Sequence, residues 1–154
     1  MTTEIRSKLP SVGTTIFSIM SQLSIQNKAI NLGQGFPDFN PDKKLIELVN
    51  QAMLEGYNQY PQLAGFHDLL IAISEKIENL YGHRYSPETE ITITSGATEA
   101  LMSSILALCG TGDEVIIIEP FYDLYLPAVQ LAGATPVVVA MDPPTHPNEN
   151  YKIN

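Results

Sequence analysis

Apolar residues recur every three or four positions in five stretches of this 154-residue chain, which is the spacing of an amphipathic helix. The pattern predicts helices over residues 14–26, 41–55, 66–81, 97–109 and 124–131. We expect Asn40 to cap the second helix and Pro41 to occupy its first position. The apolar side chains of that helix should form one buried stripe, made of Leu45, Leu48, Val49, Ala52 and Met53.

Three short segments have the pattern of β-strands. Residues 91–94 alternate apolar and β-branched polar side chains, and residues 137–140 are mostly β-branched. Residues 115–118 are entirely apolar, which is typical of a strand covered on both faces. From residue 92 onward the order is strand, helix, strand, helix, strand, which predicts a parallel sheet. The predicted fold class is therefore α/β, with N-terminal helices followed by a mostly parallel, helix-covered sheet.

The segment Ser95-Gly96-Ala97-Thr98 joins the first predicted strand to the helix that follows it. Free backbone N–H groups and the positive end of the helix dipole meet at such a point, which suits an anion. Gly96 allows close approach to the backbone, and Ser95 and Thr98 offer hydroxyl donors. An ordinary helix start with Ser95 as N-cap explains the same residues. This segment follows the carboxyl end of a predicted strand, where open parallel sheets bind ligands. That position favours a ligand site, but it does not exclude an ordinary helix start, and both alternatives stay open.

Composition narrows the class of protein. Apolar residues make up 44% of the chain and charged residues 16%, which is a globular balance. The net charge is −9, and the eight lysines and arginines are scattered, which argues against a nucleic-acid or anionic-membrane surface. Without a long apolar run or a signal-peptide pattern, the sequence predicts a cytoplasmic protein. One cysteine and three separated histidines predict no disulfide and no metal site.

Seven segments match one family in its order and at its spacing. They are Ser7-Lys-Leu-Pro, Gly13-Thr-Thr-Ile-Phe17, Asn31-Leu-Gly-Gln-Gly-Phe-Pro-Asp-Phe39, Asn58-Gln-Tyr60, Ser95-Gly-Ala-Thr-Glu-Ala-Leu101, Gly112-Asp-Glu-Val115 and Glu119-Pro-Phe-Tyr-Asp123. The chain resembles the N-terminal part of a fold-type I pyridoxal-phosphate aminotransferase. Within that group it is most similar to the branch of methionine aminotransferases and kynurenine–oxoglutarate transaminases, and the segment from Asn31 to Phe39 is the most specific to it.

The resemblance implies a set of cofactor-binding residues. Gly96, Ala97 and Thr98 would hold the phosphate of pyridoxal 5'-phosphate at the start of a helix. Tyr122 would stack its ring on the pyridine ring, which a flat aromatic side chain can do. Tyr60 would reach a phosphate across the interface of a homodimer, unless it only caps a loop.

The resemblance also implies where the substrates bind. Gly35 would lie beside the substrate, and Phe17 would line a pocket for an apolar, aromatic or sulfur amino acid such as methionine, with a 2-oxo acid as acceptor. The alternatives are that Gly35 serves only its turn and that Phe17 is plain core. The implied domains are an N-terminal arm with a substrate-side loop, residues 1–40, and the N-terminal portion of the cofactor-binding large domain, residues 41–154.

Three groups that the family's chemistry needs are expected outside this stretch. They are the lysine that forms a Schiff base with the cofactor, an acid at the pyridine nitrogen and an arginine for the substrate carboxylate. None of the six lysines here follows a strand in a serine-rich turn. We therefore expect no catalytic residue in this chain, no transamination by the chain alone, and an incomplete sheet with open edges.

Three alternative functions remain open at this point. One is a full-length enzyme that acts as a β-lyase on cysteine conjugates. The second is a non-catalytic, truncated remnant that binds a phosphate-bearing ligand or a partner chain. The third is a structural domain without a ligand.

Overall fold

The computed structural model describes residues 6–35 and 37–153, which contain five α-helices and two β-strands. In chain order they are α1 (Ile16–Asn27), α2 (Lys43–Leu54), α3 (His67–Tyr81), α4 (Gly96–Leu108), β1 (Glu114–Glu119), α5 (Tyr125–Ala132) and β2 (Thr135–Ala140). All five helices form in the predicted stretches. Residues Gln34–Thr94 make one compact unit, and the chain up to Gly33 together with the chain from Ser95 onward makes another. The predicted domain boundary at residue 40 stays a prediction.

Strands β1 and β2 pair in parallel, with Glu114 opposite Thr135 and Glu119 opposite Ala140. Helix α5 connects them and packs against both strands and against α4. Three buried residues of this unit form one hydrophobic core cluster, namely Ile117, Val129 and Ala134. These elements confirm the α/β class and the parallel pairing of the last two predicted strands.

The prediction that β1 is covered on both faces is wrong. Ile117 is 4% exposed, but its neighbour Ile116 is 69% exposed and Ile118 is also exposed. Successive side chains of a strand point to opposite faces, and the helices pack on the face that carries Ile117. The apolar run therefore has one buried face and one exposed face.

Residues 91–94 do not form the predicted strand, so the described residues contain two strands where three were predicted. The Ile93 N–H donates a hydrogen bond to the Ala64 carbonyl, at 2.8 Å, which lies in a loop. A strand needs an extended neighbour that offers alternating donors and acceptors, and one loop carbonyl cannot form a ladder. Gly65, the residue after Ala64, lies against Ile93 with a φ of +128°. A Cβ at Gly65 would collide with the Ile93 side chain.

Helix α3 carries two of the buried residues of the Gln34–Thr94 unit. Leu70 and Ser74 lie on its inner side, and the Ser74 hydroxyl donates a hydrogen bond to the Tyr85 carbonyl. Gly82 ends the helix in the left-handed conformation, and its N–H donates a hydrogen bond to the Glu78 carbonyl.

Helix α2 differs from its prediction at its start and along its apolar face. Asp42, not Asn40, is the N-cap, and its carboxylate accepts a hydrogen bond from the Lys44 N–H at 2.7 Å. The helix therefore begins beyond Pro41. None of its residues is buried, because no other helix or strand of the described part packs against it. The predicted buried stripe is about half exposed.

The segment after β2 folds back on itself. Asp142 and Lys152 form an antiparallel bridge, with the Asp142 N–H 2.9 Å from the Lys152 carbonyl oxygen. Inside this bridge, Thr145 donates hydrogen bonds to the Glu149 carboxylate. No helix in the described part of the chain combines the length and the apolar character that a bilayer crossing requires.

Candidate functional site

Helix α4 begins at the residue that the sequence singled out for close approach. Gly96 has a φ of +85°, a conformation that favours glycine, and a Cβ there would meet no atom within 4 Å. The space beside its backbone is therefore open. Backbone amides in the first turn of a helix have no intrahelical acceptor, and Ala97 and Thr98 in this turn are exposed. This end of α4 can accept an anion.

Ser95 occupies the N-cap position, but its side chain makes no capping hydrogen bond. Its backbone N–H instead donates to the carboxylate of Glu99. That carboxylate complements the helix dipole, and it would repel a second anion at the same point. The sequence contains no lysine or arginine between residues 85 and 151, so this segment must hold an anion through amides and hydroxyl groups.

The loop after β1 brings Tyr122 to the same place. The Tyr122 hydroxyl lies 3.2 Å from the Thr98 hydroxyl, and either oxygen can be the donor. The Tyr122 ring also contacts Phe17, at a centroid distance of 6.4 Å and an interplanar angle of 47°. Tyr122 remains 40% exposed. Thr98, Tyr122 and Phe17, which are far apart in the sequence, therefore meet at one end of α4.

A hollow of about 410 Å³ opens at the carboxyl ends of the two strands. It is lined by Glu119, Pro120, Phe121, Ala140 and Met141. This is the edge at which parallel α/β sheets bind ligands, and Tyr122 is the next residue along the chain. The hollow therefore lies at the strand ends that the segment containing Tyr122 directly follows in the chain.

Tyr125 also belongs to this region, although no pattern in the sequence indicates it. Its ring packs edge-on against Tyr122, with a centroid distance of 5.9 Å and an interplanar angle of 85°. The two tyrosines are three residues apart in the sequence. Because α5 begins at Tyr125, the geometry of the turn before the helix decides whether their rings meet.

Gly35 and Tyr60 belong to the other compact unit. A Cβ on Gly35 would meet nothing within 4 Å, so no close approach by the described residues requires a glycine there. Tyr60 is fully exposed and lines a hollow of about 610 Å³ together with the edge-to-face pair Tyr57 and Phe66. The roles that the resemblance implies for Gly35 and Tyr60 stay predictions.

Residues 27–154 match the family model described as aminotransferase class I and II. The chain is 48% identical over 139 residues to the methionine aminotransferase of Escherichia coli K12, covering 90% of this chain and 36% of that protein. It is 37% identical over 135 residues to human kynurenine–oxoglutarate transaminase 3, covering 87% of this chain and 30% of that protein.

A solved structure agrees with the sequence relatives. The crystal structure of YbdL from Escherichia coli, identified with a methionine aminotransferase function, superposes with a TM-score of 0.87 at 46% identity. The match covers 93% of this chain and 37% of that one. The chain therefore spans about a third of the length of the relatives that it matches.

Proposed function

Because the chain belongs to the aminotransferase class I and II family, we propose that it supplies part of the cofactor site of a pyridoxal-phosphate-dependent transaminase. The observation that carries this proposal is the contact between the Thr98 and Tyr122 hydroxyls at 3.2 Å. It joins a helix start suited to an anion to an accessible aromatic ring. Pyridoxal phosphate has both features, a phosphate and a flat heteroaromatic ring.

The described residues fit such a ligand. In the proposal, the first-turn amides of Ala97 and Thr98 would hold the phosphate, and Gly96, at which a Cβ would meet no atom within 4 Å, would let it approach the helix start. The Tyr122 ring would pack against the pyridine ring and would keep water from that face. When bound, the cofactor supplies an electron sink that lets an amino group move between an amino acid and a 2-oxo acid. In this proposal, the residues of this chain bind the cofactor and orient its ring.

The substrate and partner assignments extend the same proposal. Similarity to a methionine aminotransferase and to a kynurenine–oxoglutarate transaminase supports an apolar, aromatic or sulfur amino acid as donor. Phe17, which contacts Tyr122, would favour such a side chain, and Gly35 would lie beside it. Tyr60 would reach the phosphate of a second copy in a homodimer, and its full exposure supports this. A cytoplasmic location stays a prediction from the sequence.

Binding of pyridoxamine 5'-phosphate to the 154-residue chain, followed by calorimetry, tests the proposal. This probe lacks an aldehyde and cannot condense with surface lysines. We expect saturable binding that inorganic phosphate displaces, and we expect Gly96→Ala to weaken it at least about fivefold, or about 1 kcal/mol. The matched control is Gly112→Ala, since Gly112 also has a positive φ, +99°, and open space beside it. It should leave binding unchanged.

The other outcomes have distinct meanings. If the chain takes up no pyridoxamine phosphate, a structural domain without a ligand is favoured. If inorganic phosphate binds as tightly as pyridoxamine phosphate, the segment is a general anion site and not a cofactor site. In a separate assay, steady turnover of an amino acid with a 2-oxo acid by the pure chain would contradict the expectation that it lacks the catalytic lysine.

A further inference from the structure

Side chains of three helices restrain the Tyr122 ring. The ring centroids of Phe17 in α1 and Tyr125 in α5 lie 6.4 Å and 5.9 Å from the Tyr122 centroid. The Thr98 hydroxyl of α4 lies 3.2 Å from the Tyr122 hydroxyl. We propose that Tyr125 is a positioning residue, which holds the Tyr122 side chain in one rotamer so that a flat heteroaromatic ligand can stack on its ring. The consequence for ligand binding rests on the proposed function, whereas the restraint on the ring does not.

Tyr125 is the one of these three neighbours that the buried core holds in place. It packs against the core cluster of Ile117, Val129 and Ala134. By contrast, α1, which carries Phe17, has no buried residue, and Thr98 lies exposed in the first turn of α4. Well-packed side chains stay in one rotamer. Because Tyr125 packs against the core, we expect its ring to stay in place and to limit the motion of the neighbouring Tyr122 ring.

The geometry of the pair suits this role. An interplanar angle of 85° at 5.9 Å is an edge-to-face arrangement within the favourable range for aromatic rings. The Tyr125 N–H also donates a hydrogen bond to the Tyr122 carbonyl at 3.1 Å, so backbone and side chain restrain the same residue. The ring contact does not use the Tyr125 hydroxyl, and phenylalanine should therefore replace this tyrosine without loss.

The restraint can be measured in the chain without any ligand. Three-bond couplings from the backbone nitrogen and carbonyl carbon to Cγ report whether the Tyr122 side chain occupies one rotamer or several. We expect couplings of a single rotamer in the unsubstituted chain and in Tyr125→Phe, and averaged couplings in Tyr125→Leu. Tyr81→Leu, which removes an exposed tyrosine at the end of α3, is the matched control and should leave the Tyr122 couplings unchanged.

Leucine keeps an apolar side chain against the core, and amide spectra will show whether Tyr125→Leu retains the fold. If it does not, Tyr125→Met provides a second apolar replacement without a ring, with the same expectation. Tyr122 couplings that stay those of one rotamer in the folded variant overturn the proposal. Averaged couplings in the unsubstituted chain overturn it as well.

Ligand binding then gives a second, separable result. We expect Tyr125→Leu to weaken pyridoxamine 5'-phosphate about threefold to tenfold while affinity for inorganic phosphate stays the same, and Tyr125→Phe to change neither. An equal loss for both probes would mean that Tyr125 supports the whole site and not the placement of the Tyr122 side chain, against the proposal. Absence of pyridoxamine phosphate binding in the unsubstituted chain contradicts the proposed function, and the couplings still decide whether Tyr125 positions the ring.

Discussion

Helices α5 and α2 start from similar sequence patterns and end with different burial. Both carry apolar side chains at helical spacing, yet Ala128 and Val129 of α5 are buried whereas no residue of α2 is. The difference lies in neighbours, since α5 packs on two strands and another helix, and no helix or strand of the described part packs on α2. An amphipathic pattern therefore identifies the face that needs a partner, and the tertiary structure decides whether that face has one.

Helix α3 lies between these two cases. Its inner side buries Leu70 and Ser74 even though it packs on no other helix or strand in the described ranges. The covering groups come from loops, including Gly65 and the carbonyl of Tyr85. Burial by loops depends on single contacts, so this unit should be sensitive at a few positions and tolerant at most others.

The largest expected effect is at the buried face of β1. Ile117→Ala should reduce the free energy of unfolding by about 2–5 kcal/mol, because it removes buried methylene groups and leaves a cavity. Ile116→Ala, one residue earlier and exposed, should change it by about 0.5 kcal/mol or less. Urea unfolding followed by circular dichroism measures both. Equal losses at the two positions would mean that both faces of the strand are covered in solution.

The next effect concerns the loop that covers α3. Gly65→Ala should cost about 2–4 kcal/mol, because the residue has a positive φ and the new Cβ would collide with Ile93. Gly56→Ala, also at positive φ but with open space around it, should cost about 1 kcal/mol. Hydrogen exchange of the α3 amides reports the difference. If the two variants behave alike, the contact between Gly65 and Ile93 is not maintained in solution.

A smaller effect is expected on the apolar face of α2. Leu48→Ala should cost about 1 kcal/mol or less, because about half of this side chain is already in contact with water. Gln51→Ala on the same helix, which removes only a hydrogen bond between exposed side chains, is the control. Urea unfolding measures the change in the free energy of unfolding for both variants. A loss above about 2 kcal/mol for Leu48→Ala would show that this face has a partner in solution.

The smallest effect is a pH dependence of the turn between Asp142 and Lys152. The Thr145 hydroxyl and, next, the Thr145 N–H donate to the Glu149 carboxylate and hold the pKa of Glu149 below its ordinary value. A lowered pKa in the folded chain means that the turn is stabilised above the ordinary glutamate pKa, about 4.3. That stabilisation is lost as the pH falls through the lowered pKa.

The Thr145 amide signal measures this transition by nuclear magnetic resonance. Its shift should move toward that of an unbonded amide as the solution becomes acidic. Glu149→Gln keeps the shape of the side chain and should remove the pH dependence. A Thr145 signal that titrates equally in both proteins would assign the transition to another group.

The local elements of this protein were determined by its sequence. Five helices follow from apolar spacing, because the 3.6-residue period is a property of the chain itself. Gly82 and Gly133 end their helices in the left-handed conformation, which glycine adopts more readily than any other residue. The helix start at Gly96 was likewise visible as a turn of small residues before a run of helix formers.

Contacts between distant segments were decided only by the tertiary structure. Residues 91–94 have the alternation of a strand, but a strand exists only where another extended segment lies beside it, and here a loop does. The meeting of Thr98 with Tyr122 joins residues 24 positions apart, and the edge contact of Tyr125 depends on how α5 leaves the loop. Burial, pairing and ring orientation depend on which surfaces meet, and no periodicity along the chain records that.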